Sequence, residues 1–156
     1  DQIRGSNSAD QLSKGGMSSK MEIREEGNGN DYNVDVSATG KASPLDLPFS
    51  EKPAGDFAQY QNGRFSTALI DILGTDNHTA QYQEYSVWSS SGANYAEIEI
   101  IGDGNNAAQG QLGEANSAAI SMDGNLNVGS IAQTGSLHQG VINQTGSSNV
   151  GSIVQQ

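Results

Sequence analysis

Few side chains in this sequence are of kinds that do covalent chemistry, and none are grouped for it. The two histidines, His78 and His138, lie 60 positions apart, and there is no cysteine to join them in a metal site. Serines are plentiful, but none sits in a nucleophile elbow. Gly102-Asp103-Gly104 lacks the following helix that a phosphate-cradling loop needs. Asp103-Gly104-Asn105 and Asp123-Gly124-Asn125 resemble fragments of a calcium loop, each without a full ligand set. The sequence therefore predicts no enzyme, no metal site and no cofactor. The chemistry it does repeat is that of the primary amide. Asn105, Asn127 and Asn149 recur 22 positions apart, as do Gln111, Gln133 and Gln155. An amide both donates and accepts, so amides stacked in a column can satisfy one another even when buried.

Such columns need elements that place equivalent residues directly above one another. The same 22-residue spacing relates Ile98, Ile120 and Ile142, and it relates Gly102, Gly124 and Gly146. A shift of 28 carries Ile70, Gly74, Asn77, Gln81 and Gln83 onto Ile98, Gly102, Asn105, Gln109 and Gln111, with the extra residues placed between Tyr85 and Tyr95. A weaker copy has Ile23, Gly27 and Asn30, 47 positions before Ile70, Gly74 and Asn77. Within each unit, two runs of period-2 alternation are separated by Gly, Asn, Ser and Asp, which predicts two short strands and sharp turns. Recurrent Gly and β-branched residues disfavour helix.

The expected architecture is all-β: a β-solenoid, or cross-β stack, of two-stranded rungs about 4.8 Å apart. Alternation assigns Ile98, Ile120 and Ile142 to an inward aliphatic stack, Asn105, Asn127 and Asn149 to a ladder at the turn exit, and Gln111, Gln133 and Gln155 to a second amide column. Small inward residues (Ala107, Gly129 and Gly151) would let the two sheets approach. The turn glycines Gly74, Gly102, Gly124 and Gly146 are expected at φ > 0 or in a tight arc. Residues 1–19 read as a flexible or secretion-related segment and residues 20–41 as a divergent first repeat. Residues 42–54, holding Pro44, Pro48 and Pro53, read as a loop leaving the array, and 55–156 as the repeat array itself.

Composition agrees with a repetitive chain better than with a conventional globule. Of 156 residues 34% are hydrophobic and 20 are Gly, too little apolar material for an ordinary core. The formal net charge of −11 argues against a nucleic-acid partner. All seven Lys and Arg fall in the first 64 positions, and Phe65 to Gln156 carries eight acids and no base. Those acids are expected to point outward or lie in turns. No apolar run reaches the roughly 18 residues of a membrane span. A secreted chain beginning at Asp1 would be a mature form.

The run Gln144-Thr145-Gly146-Ser147-Ser148-Asn149-Val150-Gly151-Ser152-Ile153-Val154-Gln155 resembles the curlin repeat, with its Gln-x-Gly-x-x-Asn-x-Ala-x-x-x-Gln core. Gly151 stands where the family usually has Ala, while Met122 and Ile100 replace the first Gln in the two preceding units. The resemblance covers about residues 66 to 156. It implies a curli subunit: exported unfolded through an outer-membrane secretion pore, assisted by a nucleator protein, and polymerised head to tail on the bacterial surface into biofilm fibres. The segment with Asn149, Gly151, Ile153 and Gln155 is uncharged and free of Pro, and it reads as a templating end to which another copy adds by strand addition. Two other classes compete. One is a monomeric solenoid adhesin or binding module, although no Thr column suited to ice recurs. The other is a carbohydrate-active β-helix, disfavoured by an array with no Lys or Arg. A minor nucleator or anchor of the fibre is a variant of the first reading.

Overall fold

The computed structural model describes residues 2–3, 11–14, 20–26, 59–62, 66–84 and 93–156. In chain order the strands are β1 (Gln2–Ile3), β2 (Gln11–Lys14), β3 (Lys20–Glu26), β4 (Gln59–Asn62), β5 (Thr67–Leu73) and β6 (His78–Glu84). They continue with β7 (Tyr95–Ile101), β8 (Asn106–Glu114), β9 (Ser117–Asp123), β10 (Val128–Ser136), β11 (Gln139–Thr145) and β12 (Val150–Gln155). There is no helix among the described residues. The molecule is all-β, built from two parallel sheets. One sheet runs β1-β3-β5-β7-β9-β11 and the other β2-β4-β6-β8-β10-β12. The chain thus crosses to the other sheet at every turn, and each strand pairs with the one two places later.

Register follows the sequence spacing. Ile98 pairs with Ile120, and Ile120 with Ile142. Gln111 pairs with Gln133, and Gln133 with Gln155. Ile70 pairs with Ile98 despite the longer spacing, and Ile23 pairs with Ile70. Alternation supplies the inward faces: Ala96, Ile98 and Ile100 on β7 are buried, while Glu99 and Ile101 between and beside them are exposed. The apolar core comprises Ile70, Ile72, Ile98, Ile100, Ala107, Ala118, Ile120, Met122, Ile131 and Ile142, with Ile153 packed against it. Each fully buried Ile contributes about 1.5–3 kcal/mol. Small residues opposite these chains set the sheet separation: a Cβ on Gly129 would lie 2.6 Å from Met122 Cε.

Two features depart from simple alternation or from the expected boundaries. Residues 1–19 carry β1 and β2, which pair with β3 and β4, so their backbone groups are used in the sheets. On the even-numbered sheet Ala80, Tyr82, Ala108 and Ala132 occupy outward positions yet are 1, 3, 1 and 6% exposed. Period-2 reasoning would leave them in solvent. The Pro-containing loop 42–54, most of the divergent repeat beyond Glu26, and the inserted residues 85–92 lie outside the described residues.

Candidate functional site

The candidate site is the sheet edge formed by β11 and β12, together with the side-chain columns that run to it. Each turn between sheets spans a tetrad: Gly74 to Asn77, Gly102 to Asn105, Gly124 to Asn127 and Gly146 to Asn149. Its first residue has positive φ (+148°, +127°, +129° and +101° respectively), and so does its third: Asp76 at 55°, Gly104 at 67°, Leu126 at 59° and Ser148 at 60°. Backbone hydrogen bonding does not stop at these turns. Gly102, Gly124 and Gly146 donate to the carbonyls of Leu73, Ile101 and Asp123 at 2.9 Å. The turns therefore stack as closely as the strands. A Cβ on Gly102 or Gly124 would run into the carbonyl of Gly124 or Gly146, and only glycine fits there.

The fourth residue of the tetrad forms the Asn ladder. Asn77 Oδ1 accepts Asn105 N–H at 2.9 Å, Asn105 Oδ1 accepts Asn127 N–H at 2.9 Å, and Asn127 Oδ1 accepts Asn149 N–H at 3.0 Å. The amide nitrogens of Asn77, Asn105 and Asn127 donate to the carbonyls of Gly102, Gly124 and Gly146 at 2.8, 2.8 and 2.9 Å. Each amide thus grips the next layer by its backbone. Asn77, Asn105 and Asn127 are all 0% exposed, and these bonds offset the cost of burying them. Asn149 has no further layer to grip, and its Nδ2 turns to Thr145 O at 3.1 Å and Asn127 Oδ1 at 3.0 Å.

The Gln column is built the same way. Gln83 Nε2 donates to Gln111 Oε1 at 2.8 Å, Gln111 to Gln133 at 3.0 Å, and Gln133 to Gln155 at 2.8 Å. The same nitrogens also donate across the core to carbonyls of the opposite sheet: Thr67, Tyr95, Ser117 and Gln139 for Gln83, Gln111, Gln133 and Gln155. Gln81 and Gln109 form a shorter column, joined at 3.2 Å, which gives way to Ile131 and Ile153. At the last layer Gly151, Ile153 and Gln155 are half-buried, whereas Gly129, Ile131 and Gln133 one layer in are fully buried.

A second Asn column, Asn94 and Asn116 with His138 following, keeps the 22-residue spacing at the other turn. Asn94 Oδ1 accepts Asn116 N–H at 2.9 Å, and Asn116 Oδ1 accepts His138 N–H at 3.1 Å. Asn94 and Asn116 also donate to the carbonyls of Gly113 and Gly135 at 2.8 and 3.0 Å. The turns Gly113-Glu114-Ala115-Asn116 and Gly135-Ser136-Leu137-His138 repeat the tetrad, with Ala115 and Leu137 at φ of 53° and 64°. The signal that finds them is a half-period of 11, visible in Gly102, Gly113, Gly124, Gly135 and Gly146. Among the described residues the two kinds of turn are therefore near-equivalent. His138 holds the Asn position in the last layer, with Nε2 3.0 Å from Thr134 O.

The remaining polar groups do structural work. Asp103 Oδ1 accepts from Thr75 N and Oγ1 at 2.9 and 2.8 Å, and Asp103 N–H donates to Asn125 Oδ1 at 2.8 Å. Among the described residues no group of three His, Cys, Asp or Glu could hold a metal ion. Asp71, Asp76, Glu99, Asp103 and Asp123 are exposed and Glu97 and Glu114 half-buried. Tyr95 donates to Glu97 Oε2 at 2.7 Å, and that bond, with some burial and the Glu97 charge, pushes its phenol up to about 12. Among the described residues no helix is long and apolar enough to cross a membrane. Comparisons with protein families, with known proteins and with solved structures find no match.

Proposed function

We propose that this chain is a β-solenoid of two-stranded rungs and the structural subunit of an extracellular, curli-like amyloid fibre that grows end to end. The observation that carries the proposal is the β11–β12 edge. Strands Gln139–Thr145 and Val150–Gln155 contain no charge and no Pro, the usual devices that blunt a sheet edge. Asn149 and Gln155 stand at the end of columns whose inner members each grip a following layer. A second copy laid on this edge would extend both columns. Contact between two different ends of the same chain does not close on itself and yields a filament. On this reading the chain is secreted, partners mainly with itself, and uses a secretion pore and a nucleator. Nucleic acid and membrane insertion have no part in it.

The test is dilution of purified chain from denaturant, followed by thioflavin fluorescence with and without preformed seeds, and by fibre diffraction. Seedable growth and a meridional reflection near 4.7–4.8 Å are the expected result. A monomer that stays β-structured and never seeds would refute the fibre and favour a monomeric binding module.

A further inference from the structure

Gln144 sits on a mismatch. Its register column on the odd-numbered sheet runs Ile72, Ile100, Met122, Gln144, and the three residues before Gln144 are buried and apolar. Gln144 is itself 8% exposed. Its Nε2 donates to Val128 O at 2.9 Å, as Gln133 does to Ser117 O. Its Oε1 has no partner, because the residue beneath is Met122, which offers no donor. In the Gln column of the even-numbered sheet the layer before supplies that donor: Gln83 to Gln111, Gln111 to Gln133 and Gln133 to Gln155. Docking of β11 on β9 therefore strips water from an amide oxygen and returns no hydrogen bond.

The defect lies under β11, not under the final strand. β12 is tied to β10 by Gln133 Nε2 on Gln155 Oε1 at 2.8 Å and by the Ser130 and Ser152 hydroxyls at 2.9 Å. The turn that leads into β11, residues 135–138, holds Leu137 at a φ of 64° and 78% exposed, a strained conformation for a non-glycine residue. We propose that β11, the turn 146–149 and β12 form one releasable layer, hinged at residues 135–138 and parting at the seam between Met122 and Gln144. Release returns Gln144 Oε1 to water and uncovers the β9–β10 edge, where Asp123 closes β9. The consequence for growth rests on the fibre reading above. The uncharged templating edge exists only while the layer is docked, and the edge left after release carries the Asp123 charge, which opposes strand addition. One layer thus exchanges an edge open to a second copy for a guarded one.

The experiment is residue-resolved hydrogen exchange on the monomeric full chain. Amides of β11 and β12 should exchange at one common rate, about tenfold or more faster than those of β9 and β10. Met122→Gln places a donor beneath Gln144 Oε1 and should slow both strands about tenfold, the worth of the hydrogen bond gained. Met122→Leu offers no donor and should leave the rates within about twofold of wild type. Exchange of β12 alone, with β11 as protected as β9, is ordinary end fraying and would overturn the releasable layer. So would a natively folded Met122→Gln chain with wild-type rates. Should Met122→Gln misfold, the wild-type comparison of β11 with β12 and β9 still decides the matter. Failure of the wild-type chain to grow from seeds would instead remove the consequence for growth and leave the release standing.

Discussion

One residue type behaves differently at different depths of the same column. Asn105 is 0% exposed and makes three amide bonds, to Asn77, to Gly124 and from Asn127 N–H. Its replacement by Ala strands the Asn127 N–H and the Gly124 carbonyl. At about 1–3 kcal/mol for each buried orphan, Asn105→Ala should lower monomer stability by about 3 kcal/mol, read from the urea midpoint. Asn149 has the same neighbours on one side only, so Asn149→Ala should cost the monomer under about 1 kcal/mol. Equal losses at the two positions would show that the ladder does not act through the layer above. Such contrasts are invisible in the sequence, where the two asparagines occupy identical repeat positions.

Turns carry the same asymmetry as elements. The Gly-x-x-Asn tetrad holds a positive φ at its first and third residues, and the non-glycine residues Leu126 and Ser148 adopt αL while their N–H groups donate to Asp103 O and Asn125 O of the layer before. A Cβ on Gly124 meets the Gly146 carbonyl, whereas a Cβ on Gly146 meets nothing closer than Asn149 Nδ2 at 3.8 Å. Gly124→Ala should therefore unfold the last layers, with a loss above about 4 kcal/mol. Gly146→Ala carries only its backbone strain, about 1–3 kcal/mol. Its circular dichroism should stay native, and on the fibre reading its seeded growth should stop, because an incoming turn would clash there as Gly146 would with Ala at 124. Normal growth of Gly146→Ala fibres would mean that turns of adjacent copies do not stack at this spacing.

For the molecule as a whole the long-range term is repulsion between like-charged copies. Net charge is −11, and the exposed acids Asp71, Asp76, Glu99, Asp103 and Asp123 place much of that charge on the outside. The β11–β12 edge is uncharged, so repulsion opposes the approach of a copy more than the contact itself. Screening length falls from about 30 Å at 0.01 M salt to about 10 Å at 0.1 M. Seeded elongation should rise several-fold over that range and then level off as screening becomes complete. A rate indifferent to salt would show that charge does not limit addition.

Spacing alone determined the strand content, the parallel stacking implied by one repeat above another, and the membership of the Ile98, Asn105 and Gln111 columns. Side chains 22 residues apart have no other way to share an environment so regularly. It did not single out Asn94 and Asn116: they share the 22-residue spacing, but Ser66 and His138 hold the ends of their column, so only two of its members are amides. Nor did it reveal the strands within residues 1–19, whose weak patterning is overridden by pairing with β3 and β4. Spacing already placed Met122 before Gln144 and Gln133 before Gln155; only tertiary structure showed that Gln144 is buried with an unpartnered amide oxygen, whereas Gln155 accepts from Gln133. Whether a buried amide is satisfied depends on the neighbour above and below, and that neighbour is chosen by register between strands far apart in the chain.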